Sequence, residues 1–393
     1  MRTRALSSSF FLVLGLAACG GARMDDAPTN PPGPNDVPPG ENPNRPRPTC
    51  DAKSATDVAV SRAGLNGYPP YAVAECSLAY INRSGDLVLR DLATGGETTI
   101  APIDEAPEAP AISIDPANGA PIVVWQATIA DHSHVRVREG TTTRTISGAF
   151  DNAIEPRVSG HRVVFTAYRG PKDAPEDVDT DVWMHDTRDD STRVVFGGKA
   201  QQRFPDINAA YVVASDFSED PDGHYNSDEL PTGPRDLADI VVYEIASGKI
   251  TTRKREGKQA FPMLGNGDAL AYLDWLLVHP EPKLVAYDLR GGRINAPEAD
   301  REIAKVVYRS VGRVRPAMAG DTLEWIANPD IKGTTELWRA KVTEDVPAQK
   351  VAGLESLNLF APAPSTTGGK GFTVLAVTLP SAHDKPLLRV VER

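Results

Sequence analysis

Residues Ser218 to Glu229 read SEDPDGHYNSDE, a twelve-residue stretch with five carboxylates, Gly223 and His224. Oxygen donors at that density can wrap a hard divalent cation, or they can simply keep a loop solvated. A second acidic run, RGPKDAPEDVDTD from 169 to 181, alternates Asp177, Asp179 and Asp181 and could form or complete another oxygen-rich site. His132 and His134 place two imidazoles on one side of an extended chain, short of the ligand count a transition metal needs. His224, His279 and His383 are the other imidazoles that could join them. Arg157, Arg203 and Arg315 fall near the starts of proline-led segments, where guanidinium groups can hold an anionic ligand or tie neighbouring segments through carboxylates. Nucleophilic chemistry has no foothold here. There is no G-x-S-x-G elbow and no H-E-x-x-H pair, and GGKGFT at 368–373 lacks the order of a phosphate loop.

The segments that must position these residues repeat along the chain. A strand-like segment followed by a turn recurs as DLVLRDLATGGETTI from 86, HVRVREGTTTRTI from 134, DVWMHDTRDDSTRVV from 181, DIVVYEIASGKITTR from 239, KLVAYDLRGGRI from 283, ELWRAKV from 336 and PLLRVVER from 386. Between them come a proline-led strand, a tight turn and an apolar strand, as in EPRVSGHRVVFTAY, FPDINAAYVVASDF, FPMLGNGDALAYLDW and RPAMAGDTLEWIAN. The turns carry the Gly and Asn that hairpins require, and the strands are rich in Val, Tyr and Trp. Four short strands at a period of about 50 residues describe a propeller blade, whereas a helical solenoid would space its apolar residues by 3.6.

The expected fold is therefore all-β: a single seven-bladed β-propeller, with six or eight blades as the alternatives. Its blades are expected at 68–100, 107–146, 154–196, 203–253, 260–297, 313–351 and 357–393. The last lacks an outer strand, and ATDVAVSRA at 55–63 is a spare strand that can close the ring and remove an exposed edge. With strands lettered a to d from the axis outward, the b-to-c and d-to-a loops share one face. Both acidic insertions and the five histidines fall on it, which makes it the expected binding face. Trp125, Trp275 and Trp325 close b strands and are expected to pack between blades.

The pattern of VYEIASGKITTRKREGKQAFPMLGNGDALAYLDW and VAYDLRGGRI, an apolar c strand, a Gly-containing turn and a proline-led a strand, resembles the TolB-type (WD40-like) β-propeller repeat. The resemblance covers nearly all of 55–393 and implies fold far more than activity. Some TolB-like propellers resemble carbohydrate lyases that use a His-bound metal in the central mouth. Counted from Ser218, the first acidic stretch is similar to the calcium loop of EF-hands. Ser218, Asp220, Asp222, His224 by its carbonyl, Asn226 and Glu229 would then be ligands at positions 1, 3, 5, 7, 9 and 12, with Gly223 at 6. No cofactor is required by this reading, and Ca²⁺ is the one ion it suggests.

The N-terminus, MRTRALSSSFFLVLGLAACGG, joins Arg2 and Arg4 to an apolar run from Leu6 to Leu16 that is too short to cross a bilayer as a mature helix. Residues 1–18 read as a signal peptide. Leu16-Ala17-Ala18-Cys19 resembles the lipobox of bacterial lipoproteins, which implies acylation of Cys19; Gly20 after it implies the outer membrane, on either its periplasmic or its surface side. Residues 19–50 hold nine prolines and almost nothing apolar, so they read as a disordered tether reaching up to about 90 Å at ~3.1 Å per residue. Residues 51–393 form the propeller domain. Cys50 and Cys76, in an oxidising compartment, are expected to form a disulfide, with two free thiols as the alternative.

Asp plus Glu number 53 against 42 Lys plus Arg, for a net charge of −11, which argues against nucleic acid or an anionic bilayer as partners. The membrane is reached through the lipid alone, and the domain is expected to be a monomer. The functional expectation is a lipid-anchored cell-envelope propeller that binds a protein or a glycan and scaffolds it, with no catalysis assigned. The alternative is a divalent-metal-dependent lyase or hydrolase acting on envelope or extracellular polysaccharide, which requires the histidines to converge with a carboxylate.

Overall fold

The computed structural model describes residues 50, 55–63, 68–168, 179–225, 237–275, 284–309, 315–327, 335–355, 357–365, 371–378 and 385–393. They form seven antiparallel sheets, six of four strands (a to d) and one of three (a to c), each meandering in chain order from its inner strand outward. The inner strands are Tyr71–Ala74, Glu108–Ile114, Asn152–Ser159, Gln202–Ile207, Lys258–Leu264, Ala317–Ala319 and Asn358–Ser365. Each touches the next, and the seventh touches the first, so the sheets close into a seven-bladed ring.

Side-chain alternation builds the ring. In blade 3, Val163, Phe165 and Ala167 point to blade 2, while Val164, Val182 and Met184 point to blade 4. Neighbouring blades throughout are joined in this way by apolar clusters. Trp125 fills the seam between blades 1 and 2 and Trp325 the seam between blades 5 and 6, both almost wholly buried. At roughly 25 cal/mol per Å² of buried apolar surface, these seams are the main source of stability.

The ring closes where the spare segment was expected to close it. Asp57 N–H donates to Leu388 O at 2.9 Å, Leu388 N–H to Val58 O at 2.9 Å and Val60 N–H to Pro386 O at 3.2 Å. The same segment reaches blade 1 through Ser61 N–H, which donates to Ile81 O. A Cys50–Cys76 disulfide then pins it to the a-to-b turn of blade 1. Tyr71 of blade 1 accepts the Ala376 amide of blade 7 at 2.8 Å on its hydroxyl.

Two expectations need correction. Blade 5 was expected to end at 297, but its outer strand runs Ala296–Arg309 and its c strand Leu284–Arg293. Gly291 and Gly292 are not the turn between them; they lie inside the c strand, paired with Ala271 and Leu270. A Cβ on Gly291 would stand 2.7 Å from the Leu270 carbonyl, so a glycine is needed for the close strand approach, and the turn falls at Ile294-Asn295.

The second correction concerns the proline-led strands, which begin before their prolines. Ala109, Glu155, Phe204 and Phe261 each precede a proline and adopt positive φ of 48°, 60°, 58° and 53°. The ladder shifts register at each of these places. Proline has no N–H for the ladder, so the chain bulges around it. Arg157 accordingly lies in the second half of its strand, two residues from the a-to-b turn, and not at the strand start as expected.

Candidate binding site at the propeller axis

The bulges direct functional groups toward the axis. In blade 3, Glu155 is buried and its Oε1 receives the Arg203 guanidinium of blade 4 at 2.7 Å. Its Oε2 accepts the Phe204 amide at 2.9 Å and the Thr166 hydroxyl at 3.0 Å. Burial pushes the Glu155 carboxyl up, but the Arg203 charge and these donors together hold it below the usual carboxylate range. Burial likewise works to lower Arg203, and the Glu155 charge reverses that and raises it. Arg203 is thus committed to tying blade 3 to blade 4. The same device recurs without charge: Phe261 N–H donates to Ser215 Oγ at 3.1 Å, and Leu359 N–H to Thr335 Oγ1 at 2.8 Å.

An aromatic cluster of Phe204, Phe217 and Phe261, with Tyr68 and Tyr225 against it, caps the axial end of this sector. The rings of Phe204 and Phe261 are 4.1 Å apart, and Tyr225 meets Phe204 edge-on at 4.8 Å. Lys258 Nζ stands 4.7 Å and the Arg203 guanidinium 5.3 Å from the Tyr225 ring, distances suited to cation–π attraction. Tyr225 belongs to the acidic stretch SEDPDGHYNSDE, so an aromatic residue seats that insertion on the axis.

The described part of the stretch, 218–225, is a chain of tight turns. Ser218 donates its hydroxyl and amide to Asp216, and Asp222 accepts the His224 amide at 2.9 Å. Asp220 accepts the Asp222 amide at 3.1 Å and, across the base of the insertion, the Leu237 amide at 2.6 Å. Burial, then the neighbouring Asp222 carboxyl, pushes Asp220 up. The Gln201 amide donates to Gly223 O at 2.9 Å and the Tyr225 amide to Gln201 Oε1 at 3.0 Å. Asn226 and Glu229, which would complete a calcium loop, lie outside the described residues, as do Asp177, His279, His383 and Cys19.

The remaining expected residues are spread out. Asp179 is exposed, and Asp181 accepts the Gly198 amide at 3.4 Å. The rings of His132 and His134 are 6.4 Å apart, with His132 Nδ1 2.9 Å from Asp151 O. Burial, then the charge on His132, lowers His134. Among the described residues no three His, Cys, Asp or Glu side chains gather closely enough to hold a metal ion.

The inner strands also enclose an axial cavity of about 270 Å³. Its charged lining residues are Arg157, Arg315 and Asp206, beside Tyr68; prolines, alanines and aliphatic side chains make up most of the rest. The guanidinium carbons of Arg157 and Arg315 lie 4.7 Å and 5.4 Å from the centre of the Tyr68 ring. Asp206 accepts the Leu264 amide at 2.8 Å, and burial pushes its carboxyl up against the opposing pull of the two arginines. Three of these groups, Tyr68, Glu155 and Asp206, were missed in the sequence. The available signal was the recurring residue–proline step: Tyr68, Glu155, Phe204, Phe261 and Arg315 each precede a proline, and Asp206 follows one.

Ring and axis together define a seven-bladed β-propeller with a lined axial cavity. No family model and no curated protein matches the chain. Solved structures share its fold. An oligogalacturonate lyase in complex with manganese aligns with a TM-score of 0.50 at 11% identity, over 82% of this chain and 89% of that one. TolB from Acinetobacter baumannii aligns with a TM-score of 0.43 at 11% identity, over 71% of this chain and 64% of its own length, less than two thirds. The β-propeller domain of the Trilobed protease from Pyrococcus furiosus aligns with a TM-score of 0.45 at 10% identity, over 73% and 83%.

Proposed function

We propose that this chain is a cell-envelope binding module, anchored at the outer membrane by lipid on Cys19, that receives a protein or a glycan on the propeller face bearing the acidic insertions. The observation that carries this reading is the seating of the blade 4 insertion: Tyr225 fixes its first half against Phe204 and Phe261 at the axis. A polar, acidic segment held at the mouth of a rigid ring is a recognition surface whose ordering cost has already been met.

The test is capture from envelope extracts by the tethered domain, compared with a Tyr225→Ser variant of the same fold. The wild-type domain recovers a defined protein or glycan and the variant loses most of it. Recovery of neither, or undiminished recovery by the variant, sinks the reading. Cys19→Ser is expected to move the protein from the membrane to the soluble fraction, a result that bears on the anchor alone.

A further inference from the structure

We propose that the axial cavity is a binding site for a monocarboxylate with a short apolar body, held by Arg157, Arg315 and the Tyr68 hydroxyl. This goes beyond the envelope-binding reading and does not depend on it, because the cavity is built from inner strands and not from the insertions.

Charge balance is the first argument. The cavity lining holds two guanidinium groups and one carboxylate. Among the described residues neither Arg157 nor Arg315 forms a salt bridge, whereas Arg203 beside them pairs with Glu155 at 2.7 Å. Among the described residues Arg157 donates only to the adjoining Pro156 carbonyl at 2.8 Å, and Arg315 to the Pro262 carbonyl at 3.2 Å. Their like charges oppose one another, and Asp206 offsets only part of the excess. One negative charge completes the balance. A dianion such as phosphate would meet the Asp206 carboxylate at close quarters, so the balance favours a monoanion.

Unfilled hydrogen-bonding capacity is the second argument. Arg315 Nη1 and the Tyr68 hydroxyl are buried and have no hydrogen-bond partner among the described residues. Buried donors left unpaired are costly, so native structures rarely keep them without an occupant. Both donors belong to residues that line the cavity, and both guanidinium groups lie against the Tyr68 ring. A planar carboxylate, with two oxygens and paired acceptor directions, suits two guanidinium groups and a phenol hydroxyl.

Size and lining supply the rest. About 270 Å³ is room for roughly nine waters at ~30 Å³ each, enough for a carboxylate with several carbons. The lining also includes Ile112, Ile207, Leu264, Met263 and Met318, which would receive an apolar body. Ile207, Leu264 and Met318 sit beside the a-to-b turns, as Arg157 nearly does, so the cavity reaches toward the face opposite the insertions.

The experiment is calorimetric titration and thermal unfolding of the whole protein with butyrate, its neutral isostere butyramide, and inorganic phosphate at matched ionic strength. Butyrate is expected to bind and raise the Tm, butyramide to do neither, and phosphate to bind more weakly. Arg315→Met should weaken butyrate roughly tenfold to a hundredfold, as loss of a charge-assisted hydrogen bond does. Asp206→Asn, which removes the competing charge and retains an acceptor for Leu264, should tighten it. These opposite signs separate a binding role from general destabilisation. A second arm compares a tripeptide with a free C-terminus against its amide: tighter binding of the free peptide than of butyrate assigns the site to chain termini, and the reverse assigns it to free small acids. Equal effects of butyrate and butyramide, tighter binding of phosphate, or an undiminished butyrate shift in the Arg157→Met/Arg315→Met double variant would overturn the proposal.

Discussion

The seam between blades 7 and 1 and the axial sector of blades 3 to 6 solve the same problem, holding neighbouring sheets together, with different chemistry. The seam uses backbone hydrogen bonds from 57–61, a disulfide and a largely apolar cluster that includes Tyr71, Leu78, Val374 and Leu388. The axial sector uses a buried ion pair, bulges with positive φ and guanidinium groups set against aromatic rings. A propeller needs only the first kind of joint to stand. Strained backbone and buried charge cost stability, so where they gather the fold is shaped by something besides standing up, which makes the axis the functional candidate.

The comparison can be broken most severely at Glu155. Glu155→Ala leaves Arg203 buried without its counter-charge and the Phe204 amide without an acceptor; a loss of about 3–5 kcal/mol is expected in urea unfolding. Glu155→Gln, which keeps the acceptor for Phe204, should lose less. At the seam, Cys50→Ser/Cys76→Ser removes a loop closure spanning 26 residues and should cost about 3.5 kcal/mol in the chain-entropy model. Reduction of the wild type with dithiothreitol should reproduce most of that fall in Tm and leave the double variant unchanged.

The smallest expected effect is on pH dependence, and it separates the two axial carboxyls by sign. Glu155 is held below its usual value of 4.5, so its contribution is present above that pH and is lost as pH falls through the lower folded value. Asp206 is raised above 3.8, so its ionisation opposes folding at neutral pH, and that cost disappears as pH falls through the raised value. Asp206→Asn should therefore be slightly more stable than wild type at pH 7, with the gap closing on acidification toward pH 4. A gap that widens on acidification would mean that the arginines outweigh burial at this site.

The seam was legible in the sequence because each of its parts is local. ATDVAVSRA alternates as a strand should, the last repeat is short by one strand, and two cysteines stand where the tether meets the first blade. The blade count followed from hairpins with Gly at their tips, such as Gly160 and Gly320, which adopt positive φ. The glycines at 291 and 292 misled because a Gly-Gly pair signals a turn unless a close strand approach claims it. The axial site was only half legible. Arg157, Arg203 and Arg315 could be singled out by type, yet their division into one tied cation and two with no salt bridge among the described residues depends on Glu155, Tyr68 and Asp206, contributed by other blades. The acidic stretch drew attention to its carboxylates, while the structure seats it by Tyr225, whose partners Phe204 and Phe261 are distant in the chain and invisible to any local pattern.

The closing ladder also sets an order of events. Val58 is synthesised long before its partner Leu388, and the two meet only once every intervening blade has been made. Until then the segment at 55–61 and the open edge of the final sheet must be kept from pairing with other chains, because contacts so distant in sequence form slowly and unpaired edges aggregate. During biogenesis, the molecule's most vulnerable surface is the joint that makes the finished ring most secure.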